Sequence, residues 1–309
     1  MSFPYLSDII NFWFGTRWNI PLAMFGTFVA LAIFVATAVA KKEVRRFEAL
    51  GLLPQATLGS ATFAPVHVVL SELVTIVAIV GVFGARLFHI LEHTAEFVEN
   101  PLGMIFSTAG LSIYGGLICG GIAGATYLKK RCVPIIPMLD ALSPSIILGY
   151  GIGRIGCQIS GDGDWGIASN MALKPSFIPD WLWAQTYQNN IAGVSISFPG
   201  VYPTPIYESL TAFSIFLLLW TIRKNNHSTG YMISMYLLMS GFGRLLIEKI
   251  RINSPYYFLT FNFTQAELIS AMFILIGLYG ILKSIHARYI SKIVISLVVI
   301  ATLTACSRL

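Results

Sequence analysis

The sequence predicts an all-α integral membrane protein of about seven transmembrane helices, with its N-terminus outside and one long outer loop. Three observations carry this reading. Charged residues make up 11% of the chain against 56% hydrophobic ones, where a soluble domain carries about 25% charged. Apolar stretches of roughly the 20 residues that a bilayer crossing needs recur along the chain. Basic clusters follow alternate stretches, which is how membrane orientation is written into sequence. The mean hydropathy of +0.74 agrees.

The stretches fall at about Ile20–Ala40, Val66–Leu91, Ser112–Leu128, Leu139–Gly156, Pro205–Ile222, Tyr231–Ile247 and Ala266–Leu282. Lys41, Lys42, Arg45 and Arg46 follow the first, Lys129-Lys130-Arg131 the third, Arg223-Lys224 the fifth, and Lys283, Arg288 and Lys292 the seventh. These loops are expected in the cytoplasm. The acidic stretch with Glu92, Glu96 and Glu99 and the long loop at about 160–203 then fall outside. In that loop Trp165, Trp181, Trp183 and Tyr187 are expected at the membrane interface, where aromatic rings settle. The whole chain, 1–309, reads as a single polytopic domain. The net charge of +6 is spent on these short inner clusters, so the composition excludes nucleic acid as a partner. The four cysteines form no CxxC pair, so no zinc ribbon or redox pair is expected. The N-terminus shows no cleavable signal pattern and reads as unprocessed.

Against this background three groups of polar residues lie where lipid disfavours them, at about 2.5–3.5 kcal/mol per charge on insertion scales. The first is Gly149-Tyr150-Gly151-Ile152-Gly153-Arg154-Ile155-Gly156-Cys157-Gln158, continuing through Asp162 and Asp164 to Gly166. Dense glycine lets another surface approach the backbone, and an arginine fork set there suits a phosphate. The second is Gly243-Arg244 with Glu248, four apart on one helical face and able to pair. Lys249 and Arg251 read as interfacial side chains snorkelling to the headgroups. The third is Tyr114-Gly115-Gly116, together with Tyr202-Pro203-Thr204-Pro205-Ile206-Tyr207-Glu208. All fall in the outer half of the membrane, so two arginines, two acids and two tyrosines are expected to share one outward cavity. No continuous polar stripe crosses the spans, which excludes a solute channel.

At these residues the sequence resembles the prolipoprotein diacylglyceryl transferase family, from about Ile20 to about Lys283. The family signature is matched by Gly153-Arg154-Ile155-Gly156, Gly161-Asp162 and Trp165-Gly166. Gly84-Ala85-Arg86-Leu87, Gly115-Gly116-Leu117, Asp140, Pro203-Thr204 with Tyr207-Glu208, and Gly243-Arg244 with Glu248 follow in the family's order. The resemblance implies a multi-pass enzyme of the bacterial inner membrane that needs no cofactor or metal. It would move the diacylglyceryl group of phosphatidylglycerol to the lipobox cysteine of prelipoproteins, the first step of their maturation. Its partners would be those two substrates and membrane lipid. By the same resemblance Arg154 binds the lipid phosphate and Arg244 is the second headgroup arginine, held by Glu248. Asp162 stands where the family usually has glutamate. Gly156 and Gly166 would admit the headgroup to the backbone, and Tyr207 and Glu208 would line the substrate site. Tyr114 would orient the substrate.

The sequence departs from the family at three places. Tyr114 and Tyr202 stand where histidines are usual, and Cys157 where asparagine is usual. The histidine base for the thiol is therefore absent from its expected position. A protein that kept the fold and phosphate site but binds or translocates phospholipid without chemistry is the alternative these departures favour. His89 and His93, at i,i+4 spacing, are read as interfacial polar residues. Near the C-terminus a short apolar segment at about 293–305 ends in Leu303-Thr304-Ala305-Cys306, which resembles a lipobox. It is read as a terminal membrane segment too short for a comfortable span.

Overall fold

In the computed structural model, residues 1–59, 62–106, 112–225, 228–252, 256–258 and 261–306 are described. Helices dominate: α1 (Leu6–Phe14), α2 (Met24–Ala49), α3 (Val66–Glu92), α4 (Thr94–Glu99), α5 (Pro101–Phe106), α6 (Ile113–Lys130), α7 (Ile135–Ser160), α8 (Asp180–Trp183), α9 (Thr204–Ile222), α10 (Tyr231–Glu248) and α11 (Gln265–Cys306). Two small antiparallel hairpins accompany them, β1 (Ala56–Thr57) with β2 (Phe63–Ala64) and β3 (Tyr256–Phe258) with β4 (Phe261–Phe263).

Among the described residues five helices are long and apolar enough to cross a membrane: α2, α3, α7, α9 and the Gln265–His286 part of α11. The protein is thus an all-α integral membrane protein. The other two stretches of the sequence reading form α6 and α10, each of 18 residues. Lys129 and Lys130 end α6, and Arg244 and Glu248 lie in α10. Helices run past the expected edges because a helix need not end where lipid does. Thus α2 continues through Lys41–Arg46, and α7 encloses Arg154. The C-terminal apolar segment lies inside α11 rather than forming a separate element. The nine-residue α1 is too short to register as a span. It begins where the Asp8 carboxylate accepts from the Tyr5 N–H at 2.8 Å, and it exposes Phe12, Trp13 and Phe14.

The chain divides into two compact units. In the unit formed by 37–141, α3 and α6 cross at glycines. A methyl group at Gly84 would lie 2.6 Å from the Gly115 carbonyl oxygen and 2.7 Å from Cys119 Sγ. Backbones this close tighten helix packing in lipid, where apolar burial gives little drive. Gly84→Val is expected to lower the thermal stability of the detergent-solubilised protein by about 1–3 kcal/mol or more, read as a fall in melting temperature.

In the unit formed by 1–36 and 142–309, Ile147 of α7, Ala212, Ile215 and Leu219 of α9 and Met232 of α10 form a buried core. Ser209 Oγ of α9 donates to the Gly151 carbonyl of α7 at 3.0 Å, fixing the register of these helices. Proline fits the start of α9, at Pro203 and Pro205, because the first-turn N–H groups have no partner in the helix.

The outer loop has its own small core. Tyr187 and Trp165 are 1% and 8% exposed and stack with ring centroids 5.0 Å apart, beside Val201. This corrects the expectation of an interfacial role for these two rings. The Tyr187 hydroxyl needs a partner once buried, and it donates to Gln158 Oε1 at 2.7 Å. Trp181 remains exposed, while Trp183 Nε1 donates to the Asn170 carbonyl at 3.0 Å.

Candidate functional site

The site lies in the unit formed by 1–36 and 142–309 and is built by helix ends and loop register. Arg154 projects from the last turns of α7, Glu208 from the first turns of α9, and Arg244 and Glu248 from the end of α10. After α7 the chain turns at Asp162, whose Oδ1 accepts from the Asp164 N–H at 3.2 Å. It then runs between two other segments. The Gly166 N–H donates to the Tyr202 carbonyl and the Ile167 N–H to the Ile250 carbonyl, each at 2.8 Å. Thr204 Oγ1 secures the Asp164 carbonyl at 2.7 Å. This weave brings Asp164 and Arg251 together from residues 87 apart in sequence.

The result is a closed ionic cluster. Arg154 pairs through Nη1 with Asp164 and through Nη2 with Glu208. Arg251 Nη2 lies 2.8 Å from Asp164 Oδ1, and its Nη1 lies 3.4 Å from Glu208 Oε1. Arg244 Nη1 lies 2.8 Å from Glu248 Oε2 and 3.8 Å from Glu208 Oε1. Thr264 Oγ1 donates to Glu248 Oε1 at 2.5 Å. Three guanidinium groups thus face three carboxylates, and Glu208 touches all three arginines. Arg154 is 7% exposed and Glu208 4%, a burial that charged groups bear only when paired. Even so, the buried Nε groups of Arg154 and Arg251 have no hydrogen-bond acceptor among the described residues. A buried donor left this way costs about 1–3 kcal/mol and marks where an anionic ligand would gain.

Burial alone would push the Asp164 carboxyl up, but Arg154 and Arg251 outweigh it and hold the group below the ordinary aspartate value of 3.8. Burial alone would likewise lower Arg251, and Asp164 with Glu208 raises it instead. The stabilisation from Asp164 is therefore complete above 3.8 and is lost as pH falls through the depressed value. Thermal melts should place the wild type above Asp164→Asn at neutral pH, with the gap closing below about pH 4.

Several expectations change here. Asp164 holds the ionic position, while Asp162 shapes the turn that presents it. Arg251 joins the cluster rather than snorkelling, whereas Lys249 is 72% exposed and pairs with Glu267 at 2.8 Å. Gly156 faces the Phe28 side chain, whose Cβ would lie 2.7 Å from an added methyl. Gly166 faces the Ile250 carbonyl and Thr204 Cγ2. Both glycines make close contacts within the protein. Tyr207 donates to the Leu182 carbonyl at 2.6 Å and so anchors the outer loop. Cys157 Sγ accepts from Arg154 Nη1 at 3.4 Å. Tyr114 is half-buried in the first turn of α6, in the other unit.

Membrane-spanning helices and a buried arginine–carboxylate cluster define a polytopic membrane protein with an ionic site set among its helix ends. A family model described as prolipoprotein diacylglyceryl transferase matches residues 13–283. The chain belongs to the prolipoprotein diacylglyceryl transferase family. Among its relatives, the phosphatidylglycerol–prolipoprotein diacylglyceryl transferase of Leptospira interrogans serovar copenhageni is 29% identical, over 91% of this chain and 94% of that protein. The protein of the same name from Bacillus cereus strain 03BB102 is 30% identical, over 79% and 77% of the two chains. That of Bacillus cytotoxicus is 28% identical, over 81% and 80%.

Proposed function

We infer that this chain transfers the diacylglyceryl group of phosphatidylglycerol to the lipobox cysteine thiol of prelipoproteins in the bacterial inner membrane. The observation that carries the reading is the convergence of Arg154, Arg244 and Arg251 on the buried Glu208. The thiol sulfur attacks the glyceryl carbon bound to phosphate. A C–S bond forms, the C–O bond breaks, and glycerol phosphate leaves with the bonding electrons. The thiol proton passes to the released phosphate, which balances the reaction. Negative charge grows on the departing phosphate, so fixed guanidinium groups aimed at it lower the barrier most.

Arg154 and Arg244 take the headgroup phosphate, with Arg251 beside them. Glu248 holds Arg244 at 2.8 Å. Glu208 keeps the three arginines converged until the lipid arrives. Asp164, anionic at neutral pH, is too weak a base for a thiol of pKa about 8.5; it positions Arg154 and Arg251. The positive charge of the cluster favours the thiolate, which offsets the absence of a histidine at Tyr114. The part given to Tyr114, orienting the substrate, rests on the family resemblance. Counting α6 and α10 beside the five helices above, seven spans with the basic clusters on the cytoplasmic side would leave the N-terminus and the 160–203 loop outside.

Purified protein incubated with phosphatidylglycerol and a lipobox peptide should yield a thioether-linked peptide and free glycerol phosphate, identified by mass spectrometry. Saturable lipid binding without either product would instead favour the phospholipid-binding or translocating alternative.

A further inference from the structure

We propose that His89, Glu92 and His93 form a binding site for a divalent transition-metal cation, zinc foremost, at the C-terminal end of α3. His89 and Glu92, three apart, share one face of α3, and His93 follows as its C-cap. Their potential ligand atoms lie within 4.8 Å of one another, and the two imidazole rings tilt together with centroids 4.4 Å apart. Tetrahedral zinc with bonds of about 2.0–2.1 Å needs ligand atoms about 3.4 Å apart. Small side-chain rotations at the end of a helix cover that difference.

Two further contacts prepare the site. His93 Nδ1 lies 3.1 Å from the His89 carbonyl oxygen. A proton on Nδ1 donated there leaves the Nε2 lone pair for a metal, as outer contacts do for ligating histidines. Ser112 Oγ donates to Glu92 Oε1 at 2.8 Å, which fixes the carboxylate and leaves its other oxygen for the cation. Two imidazoles and one carboxylate suit zinc, and the fourth position falls to water. Glu96 and Glu99 in the next helix add negative charge nearby. None of these residues belongs to the transfer site. The other close group of donors, Cys157 with Asp162 and Asp164, has its Asp164 already committed to two arginines.

The test uses the full chain in detergent, purified through a tag without histidine, stripped with chelator and titrated with zinc chloride in a calorimeter at neutral pH. One saturable equivalent per chain is expected. His89→Ala with His93→Ala should abolish it, and Glu92→Gln should weaken it about tenfold. His67→Ala and His286→Ala should leave it intact, and diacylglyceryl transfer by all these variants should match the wild type. If the double variant does not fold, His93→Ala alone, at the helix cap, carries the same expectation. X-ray absorption at the zinc edge should report two imidazoles and one carboxylate. No saturable equivalent, an equivalent that survives loss of both histidines, or a different ligand set would overturn the proposal.

Discussion

Arg154→Ala is expected to lower diacylglyceryl transfer by about 10²–10³-fold or more, the range for removing one preorganised donor from a developing anion. The side chain is 7% exposed and contacts both Asp164 and Glu208. Its loss leaves a buried carboxylate short of a partner, which costs about 3–5 kcal/mol of stability. Arg154→Lys keeps the charge but replaces the planar fork by a point charge. It should retain more stability than alanine and recover only part of the activity. The two effects separate when initial rates are taken on protein whose melting curve shows it folded. A folded Arg154→Ala protein with wild-type rates would sink the mechanism.

Much of this arrangement was legible in the sequence, for physical reasons. Apolar stretches announce helices because lipid cannot satisfy an open backbone. Arg154, Glu208 and Arg244 stood out because charge inside such stretches is costly. The Arg244–Glu248 pair followed from helical spacing. Asp164 and Arg251 were not legible. Their meeting depends on a loop threading between Tyr202 and Ile250, a long-range register that no local pattern encodes. Position alone made Arg251 resemble an interfacial snorkeller and made Asp162 the nearer match to the family acid. The packing of Gly156 was hidden for a similar reason, since a glycine facing Phe28 and one facing a lipid look the same in sequence. Tyr187 and Trp165 carry the composition of an interface belt, but the loop is long enough to bury them against each other.

Glu208→Gln should give the second largest effect, and its sign depends on lipid. Glu208 is 4% exposed and touches Arg154, Arg244 and Arg251. Neutralising it leaves three guanidinium groups facing two carboxylates, and they repel one another where solvent screening is weak. Without lipid the variant should melt well below the wild type, in keeping with the roughly 3–5 kcal/mol for breaking a buried pair. Phosphatidylglycerol brings a phosphate of the same charge to the same arginines. In the wild type that phosphate competes with Glu208, whereas in the variant it replaces the missing charge. Because a ligand that binds the folded state more tightly stabilises it more, growing with the logarithm of affinity, phosphatidylglycerol should raise the melting temperature of Glu208→Gln more than that of the wild type. Diacylglycerol, which lacks the phosphate, should shift the two equally. Transfer should still fall, because the arginines lose the carboxylate that holds them converged before the lipid arrives. Equal shifts with phosphatidylglycerol in both proteins would mean that the lipid phosphate binds away from this cluster.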